Sequence, residues 1–333
     1  MTTYIIAEIG NTHEGSLGLA KQFIKAAAAT GVDCVKFQTH IFEAESLDDA
    51  PNPPYFKDET RREYFERTAF SLSDHLKLKE YTNSLGCDFI SSPFSIEAIE
   101  LLEAIDVPFY KVASGEVSNI PLLEVLGRTN KKVLLSSGMS NWKEIDLAIQ
   151  TLTENGCPEI ILLQCTSKYP CPPEYSGLNM LKYMGKKYQL TTGYSDHTSG
   201  IGVSVAAVVM GAKLIEKHFT LSKSMYGSDA QFASEPEEFK QLVEAIRDVD
   251  IALESEITKE SVTSDLQRMK QTFEKSIVAK CELEVGATIK MEDLSFKKPG
   301  TGIPAREYKK IVGKKVINKI QQNTRIELND CEQ

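Results

Sequence analysis

Two lysines sit inside otherwise apolar runs, Lys36 in VKFQT and Lys111 in YKVAS. A lone lysine in such a run is ordinarily a solvated or strand-edge charge. Two of them, with hydroxyls such as Ser92, Ser114, Ser136, Ser167 and Ser195 on neighbouring runs, form a set suited to a phosphate or a carboxylate. His197 and His218 stand at the ends of two further runs. Two imidazoles can hold a divalent transition metal whose remaining positions carry water and substrate; the alternative is a pair of hydrogen-bonded core histidines. His13 is read as a loop support, and His40 and His75 carry no assignment. Cys165 also ends a run, and without a paired base it is read as a buried, inert thiol.

These residues need a scaffold that brings the ends of many runs together. Apolar or β-branched runs recur at 4–9, 34–39, 88–94, 109–114, 133–137, 160–165, 190–194 and 213–219. Between them lie segments such as LAKQFIKAAAAT and NWKEIDLAIQTLTENG, with apolar residues at i, i+3 and i+4. Eight strand–helix units in about 250 residues fit a (β/α)8 TIM barrel. A doubly wound open sheet competes, but no G-x-G-x-x-G follows the first run. Charges inside barrel strands are costly, whereas charges at the C-terminal mouth are where barrel chemistry happens. The polar residues do gather at those ends: Glu8, Lys36 and Gln38, Ser92, Lys111 to Glu116, Ser136, Ser167 and Tyr169, Ser195 to His197, then Glu216 and His218.

The segment between the second and third runs, about 40–70, is long and holds PNPP and KDETRREYFER. It reads either as a lid over the mouth or as a solvated helical insertion. From Lys275 onward, 12 Lys and Arg stand against 8 Asp and Glu, a net of +4; of the total −9, residues 1–274 therefore carry −13. The polar stretch 254–271 marks the change. The division expected is a barrel over 1–254, a linker over 255–274 and a small β-rich domain over 275–333. The net charge of −9 argues against a general nucleic-acid binder. No apolar run approaches a membrane span. The start MTTYIIAEIG reads as a strand rather than a signal peptide, and seven scattered cysteines without a CxxC pair read as reduced thiols. A cytoplasmic protein is expected.

The motifs AEIGNTHEG (7–15), VKFQTH (35–40), FISSPFS (89–95), YKVASGE (110–116), LLSSGM (134–139), QCTSKYPCP (164–172), GYSDHT (193–198) and IEKHFT (215–220) resemble, in order, those of sialic acid synthases. KKPGTGI (297–303) is similar to that family's antifreeze-like (SAF) domain. The resemblance implies condensation of phosphoenolpyruvate with an N-acylated aldose, and a barrel plus SAF domain in a domain-swapped homodimer. It places Lys36, Lys111, Ser114, Ser136, Ser167, Tyr169 and Ser195 around phosphoenolpyruvate, with Glu8, Gln38 and Ser92 completing that site. It gives His197 and His218 to Mn²⁺ or another divalent metal. Glu216 and Asp229 go to hydroxyls of the sugar, Glu116 lies near the acceptor, and Lys298 from a partner's tail reaches the acyl group. No nucleic-acid or membrane partner is implied.

Three departures from the family pattern lie on the acceptor side. Thr12 stands where Asn is usual, Gly227-Ser228-Asp229-Ala230 replaces GPDH, and Lys298 replaces an arginine, keeping the charge without the planar fork. N-acetylmannosamine, giving N-acetylneuraminate, is the first acceptor expected. Legionaminic and pseudaminic acid synthases, which use 2,4-diacetamido-trideoxyhexoses, are the alternative. Ser114-Gly115-Glu116 matches the sialic and legionaminic form, whereas pseudaminic enzymes often carry Phe at the glycine. More distant readings are a synthase acting on arabinose 5-phosphate and a non-catalytic carbohydrate-binding protein; the second leaves the ring of lysines and histidines without a purpose.

Overall fold

A computed structural model describes residues 2–52, 59–227 and 229–332. Residues 53–58, within the long segment after the second run, and Ser228 lie outside the described residues. Eight strands follow the expected runs: β1 (Tyr4–Gly10), β2 (Cys34–Thr39), β3 (Asp88–Pro93), β4 (Phe109–Val112), β5 (Lys132–Ser136), β6 (Ile160–Cys165), β7 (Thr191–Asp196) and β8 (Leu214–His218). They form one parallel sheet in the order β3-β2-β1-β8-β7-β6-β5-β4, and β3 beside β4 nearly closes it. β4 stops at Val112 because Ser114–Glu116 turn into a 3-10 helix. β7 runs on through Ser195 and Asp196, which therefore lie within the strand rather than after it.

The strands are near-continuous apolar runs because helices cover their outer face and the barrel interior their inner one. The surrounding helices begin with α1 (Leu17–Ala28), α2 (Phe42–Glu45), α3 (Arg61–Thr68) and α4 (Leu72–Ser84). Outward residues such as Ile5, Ala7, Val35 and Phe37 join the helix faces in one core. Inward residues Ile6, Cys34, Ile90, Phe109, Leu134, Ile161, Leu163 and Leu214 form a second core inside the barrel. Side chains alternate along a strand. Two residues beyond Ile6, Cys34, Ile90, Phe109, Leu134 and Leu214 come Glu8, Lys36, Ser92, Lys111, Ser136 and Glu216. The apolar plug is thus the floor of a polar layer, and the period of two puts the chemistry there.

α2 and α3 belong to the long segment after β2. Thr60 caps α3 by accepting from Glu63 N, while Glu63 Oε2 takes the Thr60 amide at 2.8 Å. Arg67 pairs with Glu14 at 2.8 Å and Glu59 at 2.7 Å. A Cβ on Gly15, whose φ is +74°, would fall 2.0 Å from the Arg67 carbonyl, so only glycine permits this approach. His13 stacks on Phe70 at 4.4 Å and accepts from Gly15 N at 3.1 Å; burial lowers its pKa to about 3. It sits in the support of this loop.

Contacts divide the chain between Ser255 and Glu256. In the second unit, β9 (Ser276–Ala279) pairs antiparallel with β10 (Leu294–Lys297). Ile277, Leu283, Ile289, Ile311, Val316 and Ile326 are among its buried core. The polar stretch before it contains a helix, Ser264–Phe273, with no buried residue. Among the described residues no helix is long and apolar enough to cross a membrane.

Candidate active site

The lowest polar layer is a closed electrostatic circuit. Lys36 Nζ lies 2.8 Å from Glu8 Oε2 and 3.9 Å from Glu216 Oε2, and donates to Ser92 Oγ at 3.1 Å. Lys111 Nζ donates to Glu216 Oε1 at 3.3 Å, where Ser195 Oγ also donates at 3.0 Å. Gln38 Nε2 donates to Glu8 Oε1 at 2.8 Å. All four charged side chains are at most 5% exposed. The lysines expected to stand ready for an anion therefore already face two carboxyl groups.

The two carboxyls differ. Burial raises Glu8 to about 7, overcoming the attraction of Lys36. Burial would raise Glu216 too, but Lys111 and Lys36 outweigh it and hold that carboxyl near 2. Glu216 is the fixed carboxylate, and Glu8 is the group that can exchange a proton near neutrality. Glu8 Oε2 is held by the Lys36 ammonium at 2.8 Å, whereas Glu216 Oε2 has no hydrogen-bond partner and lies 3.9 Å from Lys36. Both are buried acceptors on a cleft of about 870 Å³.

Above this layer the two histidine rings lie 5.4 Å apart between centroids. His197 Nδ1 donates to the Thr166 carbonyl at 2.9 Å, which leaves Nε2 as the nitrogen that can face a ligand. Burial lowers the pKa of this ring, but the Cys165 thiol beside it outweighs burial and raises it. Burial lowers His218 to about 4, so its ring is neutral. Its Nδ1 is buried without a hydrogen-bond partner, 3.7 Å from Asp229 Oδ2. Tyr169 packs on His197 at 4.2 Å. Among the described residues no three His, Cys, Asp or Glu side chains converge as a ready chelate. Two imidazoles at adjacent strand ends, that of His218 with an orphaned nitrogen, nevertheless fit a divalent metal that keeps open positions for water and substrate.

Ser114, Ser136 and Ser167 also line the cleft. A Cβ on Gly138 would stand 2.5 Å from Ser167 Oγ and 2.6 Å from Ser114 Oγ, so the missing side chain leaves room among these donors. Cys165 is 6% exposed and accepts from Ser114 Oγ at 3.7 Å. Glu116 lines the outer wall, where Asn119 donates to it at 2.8 Å. Every sequence-derived site residue in the barrel thus borders one cleft. Lys298 belongs to the second unit, with its ammonium 5.0 Å from the Phe273 ring centre.

The sequence reading missed the outer wall. His40, Arg61, Tyr64, Phe65 and Phe94 also line the cleft, together with Met139 and Phe232. His40 carried a usable signal: it continues the alternation Lys36, Gln38, His40. Phe65 carried none, because α3 reaches the cleft only through the folding of a charged segment.

Residues 23–258 match the NeuB family and residues 274–330 the SAF domain. The chain is 38% identical to an N,N'-diacetyllegionaminic acid synthase of Campylobacter jejuni, over 94% of this chain and 95% of that one. The chain belongs to the NeuB family. It is also 38% identical to an N,N'-diacetyllegionaminic acid synthase of Legionella pneumophila, covering 97% of this chain and 93% of the relative. The crystal structure of an N-acetylneuraminic acid (sialic acid) synthetase from Leptospira borgpetersenii superposes with a TM-score of 0.69 at 30% identity, over 81% of this chain and 90% of that one. NeuB membership makes the chain part of a family of phosphoenolpyruvate-dependent sugar-acid synthases.

Proposed function

We propose that this cleft condenses phosphoenolpyruvate with a 2,4-diacetamido-trideoxyhexose, giving N,N'-diacetyllegionaminic acid and inorganic phosphate. The observation that carries the reaction is the buried Glu8–Lys36–Glu216–Lys111 layer, facing a cleft that His197 and His218 also line.

C3 of phosphoenolpyruvate forms a bond to the aldehyde carbon of the open-chain sugar, and the aldehyde oxygen takes up a proton. Water adds to C2, phosphate leaves with its bridging oxygen, and C2 becomes the ketone. A divalent cation such as Mn²⁺ on His197 and His218 supplies polarisation of the aldehyde oxygen when bound. Glu8, the carboxyl that exchanges protons near neutrality, takes the proton from the water that adds at C2. Lys36 and Lys111 orient the anion through the hydrogens that Glu8, Glu216 and Ser92 do not use. Ser114, Ser136, Ser167 and Ser195 donate to the phosphate and carboxylate oxygens.

The motifs alone point first to N-acetylmannosamine. Two legionaminic acid synthases at 38% identity and the outer wall favour the diacetamido acceptor. Phe65, Phe94, Met139 and Phe232 give that wall apolar surface beside its polar groups His40, Arg61 and Glu116, which suits a C6 methyl and a second acetyl group. Gly115 leaves the wall open: a Cβ there would already meet Met139 Cε at 3.7 Å. N-acetylmannosamine is the second reading, supported by the 30% identity to the sialic acid synthetase.

The reaction is tested by phosphate release. With phosphoenolpyruvate and Mn²⁺ the protein should release phosphate only when an N-acyl aldose is added, at equal stoichiometry with the new 2-keto acid. Release that ignores the sugar, or no release with any acetamido sugar, would overturn the proposal.

A further inference from the structure

Between the polar layer and α3 lies His40, unassigned from sequence. Its ring is sandwiched between Phe65 (centroids 3.9 Å, planes 5° apart) and Phe94 (4.0 Å, 18°). The His40 and Glu45 side chains are each 8% exposed. His40 Nδ1 stands 2.8 Å from Glu45 Oε1, and Nε2 stands 3.1 Å from Gln38 Oε1. The Gln38 amide in turn donates to Glu8 Oε1 at 2.8 Å. An unbroken hydrogen-bonded line therefore runs from α2 through His40 and Gln38 to the carboxyl on the barrel floor.

The direction of each bond in this line follows from chemistry. A primary amide has a donor end and an acceptor end, and the network decides which way it points. Glu8 Oε1 is an acceptor, so Gln38 turns its nitrogen to Glu8 and its oxygen to His40. Two acceptors cannot satisfy one another, so His40 Nε2 carries a hydrogen. Nδ1, facing the Glu45 carboxylate, carries one as well. The slot suits a ring that donates from both nitrogens: two aromatic faces and one carboxylate surround it. Glu116, on the neighbouring cleft wall, is the other carboxyl whose field reaches His40.

We propose that His40 is a positioning residue: through its Nε2–H it locks the Gln38 amide in the orientation that donates to Glu8. Without that donor the amide is free to turn over and present its oxygen to Glu8, an acceptor against an acceptor. The loop that carries α2 and α3 is thereby tied to the reacting centre, since Glu45 and Phe65 hold the ring that holds Gln38. The inference rests on the proposed role of Glu8, and it competes with a plain alternative in which His40 only fills the slot between two phenylalanines.

Three variants separate these roles. His40→Phe keeps an aromatic ring in the slot and removes both donors. In His40→Gln an amide nitrogen reaches the place of Nε2; in His40→Asn it reaches only the place of Nδ1. Positioning predicts that kcat falls about ten- to hundredfold in His40→Phe and His40→Asn, the size of a lost charge-assisted hydrogen bond, and that His40→Gln recovers most of it. A filler role predicts full activity in His40→Phe and equal losses in the other two; either result overturns the proposal. If His40→Phe does not fold, the Gln/Asn comparison decides alone. Should the parent release no phosphate with any acceptor, the functional reading fails, and side-chain amide exchange in glutamine-labelled protein decides the inference. Gln38 protons protected in the parent and His40→Gln but not in His40→Asn support it, and equal exchange in all three overturns it.

Discussion

Lys36→Met should be the most destabilising single change in the cleft, and its effect should depend on pH. Lys36 is 3% exposed and lies 2.8 Å from Glu8 and 3.9 Å from Glu216. Methionine fills the same space without the charge. Lys111 still compensates Glu216, so Glu8 is left as a buried, unmatched carboxyl. Breaking such a pair by removing one partner typically costs about 3–5 kcal/mol. For a unit of this size that is about 6–20 °C in melting temperature. Glu8 is already raised to about 7, and losing Lys36 raises it further. A carboxyl with a folded pKa above its unfolded one binds more protons when folded, so stability is lost as pH rises from the unfolded value through the folded one. The deficit against the parent should be small below about pH 7, where Glu8 is neutral in both proteins, and should grow as pH rises from 7 through 8 towards the higher value of the variant. Thermal unfolding across that range checks it; an unchanged midpoint at pH 8 would show that Lys36 is not the counter-charge. Activity should fall too, by about ten- to hundredfold in kcat/KM for phosphoenolpyruvate.

His218→Leu should do the reverse: large in turnover, small in stability. The buried Nδ1 of His218 has no hydrogen-bond partner to lose, so a leucine of similar volume should cost the fold less than about 1 kcal/mol. Loss of an outer-sphere partner in a metal site usually costs about 10–100-fold, so loss of a donor itself should exceed about a hundredfold in turnover. Chelation of the parent should abolish phosphate release and Mn²⁺ should restore it. Equilibrium binding of Mn²⁺ gives a readout apart from activity, and should weaken in His218→Leu and in His197→Leu. Full turnover in exhaustively chelated parent would end the metal role.

The contrast between these two residues shows where sequence reading succeeds and stops. The strands were legible because parallel barrel strands are buried on both faces and read as apolar runs. The polar layer was legible because alternation puts Glu8 two residues above Ile6 and Lys36 two above Cys34. The pairing within that layer was not legible. Lys36 and Glu216 meet across β1, which pairs with both their strands although they are far apart in the chain, and nothing local to either residue announces that the lysines already face carboxyls. The outer wall was hidden for a related reason. α3 comes from RREYFERT, whose residues read as a solvated face, yet its Phe65 covers His40. The helix Ser264–Phe273 was foreshadowed only as a linker or exposed helix, since none of its residues is buried.

The acceptor is the central claim, and a competition tests it most directly. The protein, saturated with phosphoenolpyruvate and Mn²⁺, is given equal concentrations of 2,4-diacetamido-2,4,6-trideoxymannose and N-acetylmannosamine, and early products are separated by mass. The product ratio then equals the ratio of the two kcat/KM values. One methyl and one acetyl contact with Phe65, Phe94, Met139 or Phe232 should favour the diacetamido sugar by more than about tenfold. N,N'-diacetyllegionaminic acid should therefore dominate, and a mixture in which N-acetylneuraminate dominates would contradict the account.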